Sequence, residues 1–283
     1  MGLSGKAELA GKYLKLAYNA GFDDTNHMQN DPDFDKVRGK KAFNEVLEEI
    51  VADKARKEAD TGEMMWFRGE AFFRCQMHFP KNFDPEKEYP LVVGLHGLGD
   101  APEHYVGLKT RFQNQDFIFA VPQAAISPSQ RQLRRRYSWY LWGTDKAEEA
   151  VEMAALYIAS TVRAIHRKYN ISETTALGFS QGASYSIIMG VKYHRLFDRV
   201  AAFGGWIDPS IVTDADLQEV ENLEVFIAHG RNDKVCPYTG AVSAVALLEK
   251  HGIDVVFESF DGGHKIDRET FRKAEAWLLR DKP

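Results

Sequence analysis

Ser180 sits between two glycines in Gly178-Phe179-Ser180-Gln181-Gly182, after the apolar run Thr175-Ala176-Leu177 and at the start of a helix-like stretch over 183–191. A serine hydroxyl is a poor nucleophile until a base takes its proton. A tight strand-to-helix turn between glycines holds such a hydroxyl exposed at a strained tip, with a helix N-terminus beneath it. The chain then offers an acid and a base, in that order. Asp233 ends His229-Gly230-Arg231-Asn232-Asp233, just past the strand-like run 223–228, and His264 follows Gly262-Gly263 and the strand-like run 255–260. A histidine, whose ordinary pKa is ~6.5, can accept the serine proton and return it to a leaving group. An aspartate behind it would hold the imidazole tautomer and stabilise the imidazolium. Ser180, Asp233 and His264 are therefore the expected catalytic set. Asp208, Asp214 and Asp216 are local alternatives as the acid, and the position directly past a strand end favours Asp233.

Acyl transfer through such a set needs two preorganised donors for the developing oxyanion. The backbone N–H of Gln181, next to the nucleophile, is one candidate. The second is the N–H of Leu98 in the glycine-rich turn His96-Gly97-Leu98-Gly99-Asp100, which follows the apolar strand Leu91-Val92-Val93-Gly94-Leu95. Trp139, Trp142 and Trp206 follow strand-like runs, on the side where α/β sheets bind ligands, and are expected to wall a substrate pocket. Arg131, Arg134, Arg135 and Arg136 form a basic run that reads as a solvated face, with recognition of an acidic group as the alternative.

The elements that must position these residues alternate. Strands are expected near 70–79, 90–96, 116–121, 174–179, 199–205, 223–229 and 254–260. A helix over 146–168 carries Val151, Ala154, Ala155, Ile158, Val162 and Ile165 on one face. The alternation predicts an α/β fold with a mostly parallel central sheet flanked by helices. Residues 1–62 read instead as a helical appendage, leaving 63–283 as the catalytic domain. In the appendage Asp31-Pro32 is a helix start signal, Asp60-Thr61-Gly62 a stop, and Phe43, Val46, Leu47, Ile50 and Val51 an amphipathic stripe. Water would penalise that stripe, so it must be covered by the catalytic domain, by neighbouring helices or by another copy of the chain; docking within the chain is the favoured expectation.

Taken together, His96-Gly97-Leu98-Gly99-Asp100, the serine motif, His229-Gly230-Arg231-Asn232-Asp233-Lys234-Val235-Cys236-Pro237 and Gly263-His264 resemble the phospholipase/carboxylesterase family of α/β-hydrolases, which includes carboxylesterases and acyl-protein thioesterases. The resemblance spans roughly 70–280. It implies a cofactor-free hydrolase of esters or thioesters, with Ser180, Asp233 and His264 as triad and Leu98 and Gln181 as oxyanion donors. The sequence departs from the family at Ala183, where a glycine is usual, and at Cys236, where an aliphatic residue is usual and a buried small hydrophobe is expected. The stretch 127–142 is longer and more basic than the family leads one to expect. Separately, Ala17-Tyr18-Asn19-Ala20-Gly21-Phe22-Asp23-Asp24 with Asp31-Pro32-Asp33-Phe34 and Lys41-Ala42-Phe43 is similar to the end of a tetratricopeptide-repeat array.

Bulk properties narrow the remaining classes. A net charge of −5 argues against a nucleic-acid partner, which would need a basic face. No run reaches the roughly 18 apolar residues of a membrane span. Two distant cysteines make no disulfide framework, and no cluster has metal-ligand spacing, so no metal is expected. The opening residues lack the apolar stretch of an export signal, so a cytoplasmic location is expected. The competing readings are a serine peptidase of the same fold and a non-catalytic scaffold using residues 1–62 to bind protein or itself.

Overall fold

A computed structural model describes residues 6–22, 24–60, 71–126, 137–141 and 144–280. The expected domain boundary at 62/63, Trp142 and the basic run 131–136 lie outside the described residues. The chain divides into two compact units, Met1–Gly69 and Glu70–Pro283.

In the first unit, α1 (Ala7–Asn19), α2 (Thr25–Asn30) and α3 (Lys41–Asp60) are separated by turns rather than forming continuous helix. Asp24 caps α2 by accepting the His27 N–H at 2.9 Å. Asp31 accepts the Asp33 N–H at 2.9 Å and starts a single 3₁₀ turn, Pro32–Phe34, in place of a long helix. Phe43 and Ile50 from the α3 stripe are buried with Ala10, Leu14, Met28 and Val37, and Val46 and Leu47 pack against them. Phe43, Val46, Leu47 and Ile50 of the stripe are thus covered by the neighbouring helices, the cheapest of the three covers because those helices are already adjacent in the chain.

The second unit is built on a seven-stranded sheet. Its strands are β1 (Cys75–His78), β2 (Tyr89–Leu95), β3 (Ile118–Pro122), β4 (Ile171–Phe179), β5 (Arg199–Phe203), β6 (Glu224–Gly230) and β7 (Asp254–Phe260). They lie in the order β1-β3-β2-β4-β5-β6-β7. Every neighbouring pair is parallel except β1 with β3. The helices are α4 (Pro102–Tyr105), α5 (Ala147–Lys168), α6 (Gln181–Lys192), α7 (Asp214–Gln218), α8 (Tyr238–Lys250) and α9 (Arg268–Leu278). Along β2, Leu91, Val93 and Leu95 join the core that holds α5, α6 and α8, whereas Val92 joins the one that holds α9. A sheet covered on both faces needs apolar residues at every position, which is why β2 and β3 read as continuous apolar runs. β1 is an edge strand, shorter than the expected 70–79, with its residues alternately half-buried and exposed. β4 begins at Ile171, earlier than expected, because Ile171 pairs with Tyr89 across an irregularity in β2. Among the described residues, no helix is long and apolar enough to cross a membrane.

Two features of the register matter for the site. Phe179, Phe203 and Ala228 are cross-strand partners, and Leu95 pairs with Gly178, so the carboxyl ends of β2, β4, β5 and β6 finish level with one another. At the opposite end, the fully buried Arg199 guanidinium ties the starts of three strands together. It donates to Glu173 at 2.9 Å, to Glu224 at 2.8 Å and to the Leu278 carbonyl, at the end of α9, at 2.7 Å. Removing one partner of a buried ion network leaves the other charges uncompensated. Arg199→Met should therefore lower the unfolding free energy in urea by about 3 kcal/mol, with the loops at the carboxyl edge of the sheet intact as judged by labelling of Ser180.

Candidate active site

The turn between β4 and α6 is shaped by two close backbone approaches. A Cβ on Gly178 would collide with the Gly182 carbonyl, and one on Gly182 with the Leu95 carbonyl, so neither position admits a side chain. Between them Ser180 is held at φ 56°, ψ −123°, a region glycine occupies freely and serine does not. Its amide donates to the Phe203 carbonyl at 2.9 Å, locking the turn onto the end of β5. Confinement in such a region costs on the order of 1–3 kcal/mol and aims the hydroxyl away from the sheet.

The three residues singled out by order and spacing meet here. His264 Nε2 lies 2.9 Å from Ser180 Oγ, and His264 Nδ1 lies 2.7 Å from Asp233 Oδ2. The Asp233 side chain is 1% exposed, and its other oxygen accepts the amides of Val235 at 2.8 Å and Cys236 at 2.9 Å. Burial pushes this carboxyl up. The hydrogen bond from His264 and the two amides together outweigh burial and hold it below the usual carboxylate range. An ionised Asp233 only accepts, so His264 carries its proton on Nδ1 and leaves Nε2 free to accept from Ser180. The Phe179 ring packs on the imidazole, with centroids 4.8 Å apart. The loops carrying acid and base are stitched to each other: Arg231 N–H donates to the Phe260 carbonyl and Asn232 N–H to the Gly262 carbonyl, both at 2.9 Å.

Supporting side chains surround this set; His229 and His96 carried no individual role in the sequence, whereas Cys236 is the buried group expected there. His229, fully buried, donates from Nε2 to the Cys236 carbonyl at 2.8 Å and lies 3.4 Å from Asp233 Oδ2, bracing the acid loop from below. Cys236 is buried, its thiol pushed up to about 11, first by burial and then by the Asp233 carboxylate. A hydrogen bond between the thiol and the Ser180 side chain works the other way and is the smaller effect. His96 is fully buried at the head of the glycine-rich turn. Its Nε2 accepts the Ala124 amide at 3.2 Å, which forces the proton onto Nδ1, and Nδ1 donates to the Gly97 carbonyl at 2.9 Å. The Gly97 carbonyl shares a planar peptide with the Leu98 N–H, so this bond also sets where that N–H points. The turn lies against the serine: a Cβ on Gly97 would be 3.5 Å from Ser180 Cβ. The Leu98 side chain is exposed, and Gln181, at the first position of α6, is buried.

The tryptophans divide. Trp139, expected to wall an open pocket, is fully buried, with its ring against His96 and Tyr185 and its indole N–H donating to the His96 carbonyl at 2.9 Å. It supports the turn from beneath instead of facing a substrate. Trp206 remains partly exposed beyond β5, its amide donating to Ser184 Oγ at 3.2 Å.

With this arrangement in view, a comparison with known families is decisive: the profile of the family described as Phospholipase/Carboxylesterase matches residues 83–280. The chain belongs to the phospholipase/carboxylesterase family. The family implies a serine hydrolase acting on esters. Among its relatives, a probable carboxylesterase SOBER1-like of Arabidopsis thaliana is 26% identical over 201 residues, covering 66% of this chain and 77% of the relative. An acyl-protein thioesterase 1 of Gibberella zeae is 23% identical over 216 residues, covering 68% and 90%. The fold is also that of the crystal structure of esterase PE8, at a TM-score of 0.62 with 23% identity, covering 74% of this chain and 98% of that one. The family match begins at residue 83 and lends no support to the repeat-like reading of residues 1–62.

The buried imidazole of His96 has a pH consequence. Burial lowers its pKa, and its hydrogen bond to Gly97, which works the other way, is the smaller effect. A group with a depressed folded pKa adds stability that is present above its unfolded pKa, ~6.5, and is lost as pH falls through the folded value. Unfolding free energy should fall on acidification below pH ~6.5, by up to about 1.4 kcal/mol per pH unit for this one proton. His96→Asn should flatten that slope in urea titrations run from pH 7.5 to 4.5. The depressed Asp233 carboxyl adds its own loss only at lower pH, below ~3.9.

Proposed function

We propose that this chain hydrolyses carboxylic esters, with thioesters as a related substrate class, through an acyl-enzyme on Ser180. The observation that supports the reading is the pair of hydrogen bonds joining Ser180 Oγ, His264 and Asp233 at 2.9 and 2.7 Å, at the tip of a strained turn. Ser180 Oγ attacks the acyl carbon while His264 Nε2 takes its proton. Asp233, held ionised, stabilises the imidazolium and keeps its ring in place. Negative charge builds on the carbonyl oxygen, where the amides of Gln181 and Leu98 receive it. His264 then protonates the departing alcohol or thiol. Water repeats the sequence in reverse, leaving the acid product and free serine. No step needs a metal or cofactor. We assign apolar contact with the substrate to Trp206 and the Leu98 side chain, which are both exposed.

Aryl esters of increasing acyl length, beside thioester and peptide substrates, test the class directly. Ser180→Ala should lower turnover by a factor on the order of 10⁶, with His264→Ala nearly as costly and Asp233→Ala less so. An organophosphate should add to Ser180 and nowhere else by peptide mass mapping, and chelators should leave the rate unchanged. More than a few per cent of wild-type turnover in Ser180→Ala refutes the assignment.

A further inference from the structure

The residue after the nucleophile is tied to both halves of the proposed oxyanion site, to one by its backbone and to the other through segment 138–140. Its backbone N–H is one proposed donor, and its side chain reaches away from the substrate into the interior. Gln181 Oε1 accepts the Trp139 amide at 2.8 Å, and Nε2 donates to Ser138 Oγ at 3.0 Å. Ser138 Oγ in turn donates to the Tyr140 carbonyl at 2.8 Å. The side-chain amide thus grips the short segment 138–140 with both of its polar atoms. That segment grips the glycine-rich turn. The Trp139 indole N–H donates to the His96 carbonyl at 2.9 Å, Gly99 N–H donates to the Tyr137 carbonyl at 2.9 Å, and Tyr137 N–H returns to the Asp100 carbonyl at 3.2 Å. Gln181, Trp139 and His96 are 3%, 0% and 0% exposed, so water cannot replace the bonds that join these three residues without opening the interior.

We propose that the Gln181 side chain is a positioning group which, through Trp139 and His96, sets the peptide plane that presents the Leu98 N–H to the oxyanion. One residue then supplies the first donor from its backbone and orients the second with its side chain, so the two donors move as a unit. The inference rests on the esterase reading above. An unbraced glycine-rich turn has many accessible backbone states, and each one that turns the Leu98 N–H away removes a donor at the moment charge develops. Loss of an oxyanion donor lowers kcat by about 10²–10³, and misalignment of one costs part of that.

Two variants separate alignment from mere support. Gln181→Met keeps volume and the backbone donor but loses both side-chain bonds. Trp139→Phe keeps an aromatic ring in the interior while losing the indole bond to His96 and part of the ring volume, and it provides the measurement if the first variant does not fold. In the full chain, with rates divided by sites titrated with an organophosphate, each should lower kcat on an aryl acetate by about 10- to 100-fold with KM within twofold. Affinity for a trifluoromethyl ketone, whose serine adduct carries the oxyanion, should fall by the same factor. The double variant should be no worse than the poorer single one, since both act in series on one donor. A lowered melting temperature with unchanged kcat per site and unchanged ketone affinity overturns the proposal, because the brace would then be structural only. So does full additivity in the double variant. Wild-type protein that neither hydrolyses esters nor takes the ketone on Ser180 refutes the esterase reading itself, whereas active wild type with wild-type-like variants refutes only the brace.

Discussion

The carbonyl oxygen of Leu95 occupies the space where residue 182 would carry a side chain, and the site's construction follows from that contact. It lets the first turn of α6 press against the last residue of β2. Because β2 and β4 are neighbours that end level, the turn leaving β2 and the turn leaving β4 come to lie side by side. The serine is lifted onto the tip of one, and the glycine-rich run after Leu95 becomes the wall of the other. A methyl group at 182 would separate helix from strand and pull both turns apart.

A second layer of organisation comes from buried polar groups, which demand partners wherever they lie. His96, Ser138, Gln181, His229 and Asp233 are all buried and all hydrogen-bonded to backbone: His96 and Gln181 reach the amides of Ala124 and Trp139, His229 spans the acid loop to Cys236, and Ser138 and Asp233 hold the residues just after them. Loops at a sheet edge are otherwise the most variable and mobile parts of an α/β domain. Here side chains tie the edge together, and the arrangement of Ser180, His264 and Asp233 is held within those ties.

How much of this is visible in the residues alone follows from the range of the interactions. The parallel strands are legible because double burial leaves an unbroken apolar run. The serine, acid and base stand out because each sits at a strand end beside glycine or within a charged turn. The role of Trp139 is not legible: its position past a strand locates it at the correct edge of the sheet, but nothing local says that the ring turns inward. His96 depends on Ala124, 28 residues away, and Gln181 on Trp139, 42 residues away. Such pairings exist only once the sheet has assembled. The α3 stripe shows the same division, since an amphipathic pattern names the face that must be covered and leaves the covering element open.

The backbone of Ser180 carries a further meaning. At φ 56°, ψ −123° a glycine would sit without strain, so the chain could become more stable by giving up the one hydroxyl on which the proposed reaction depends. Folding and reactivity therefore pull this position in opposite directions. If the proposed reaction holds, the strain at Ser180 is stability given up to hold one hydroxyl at the tip of the turn.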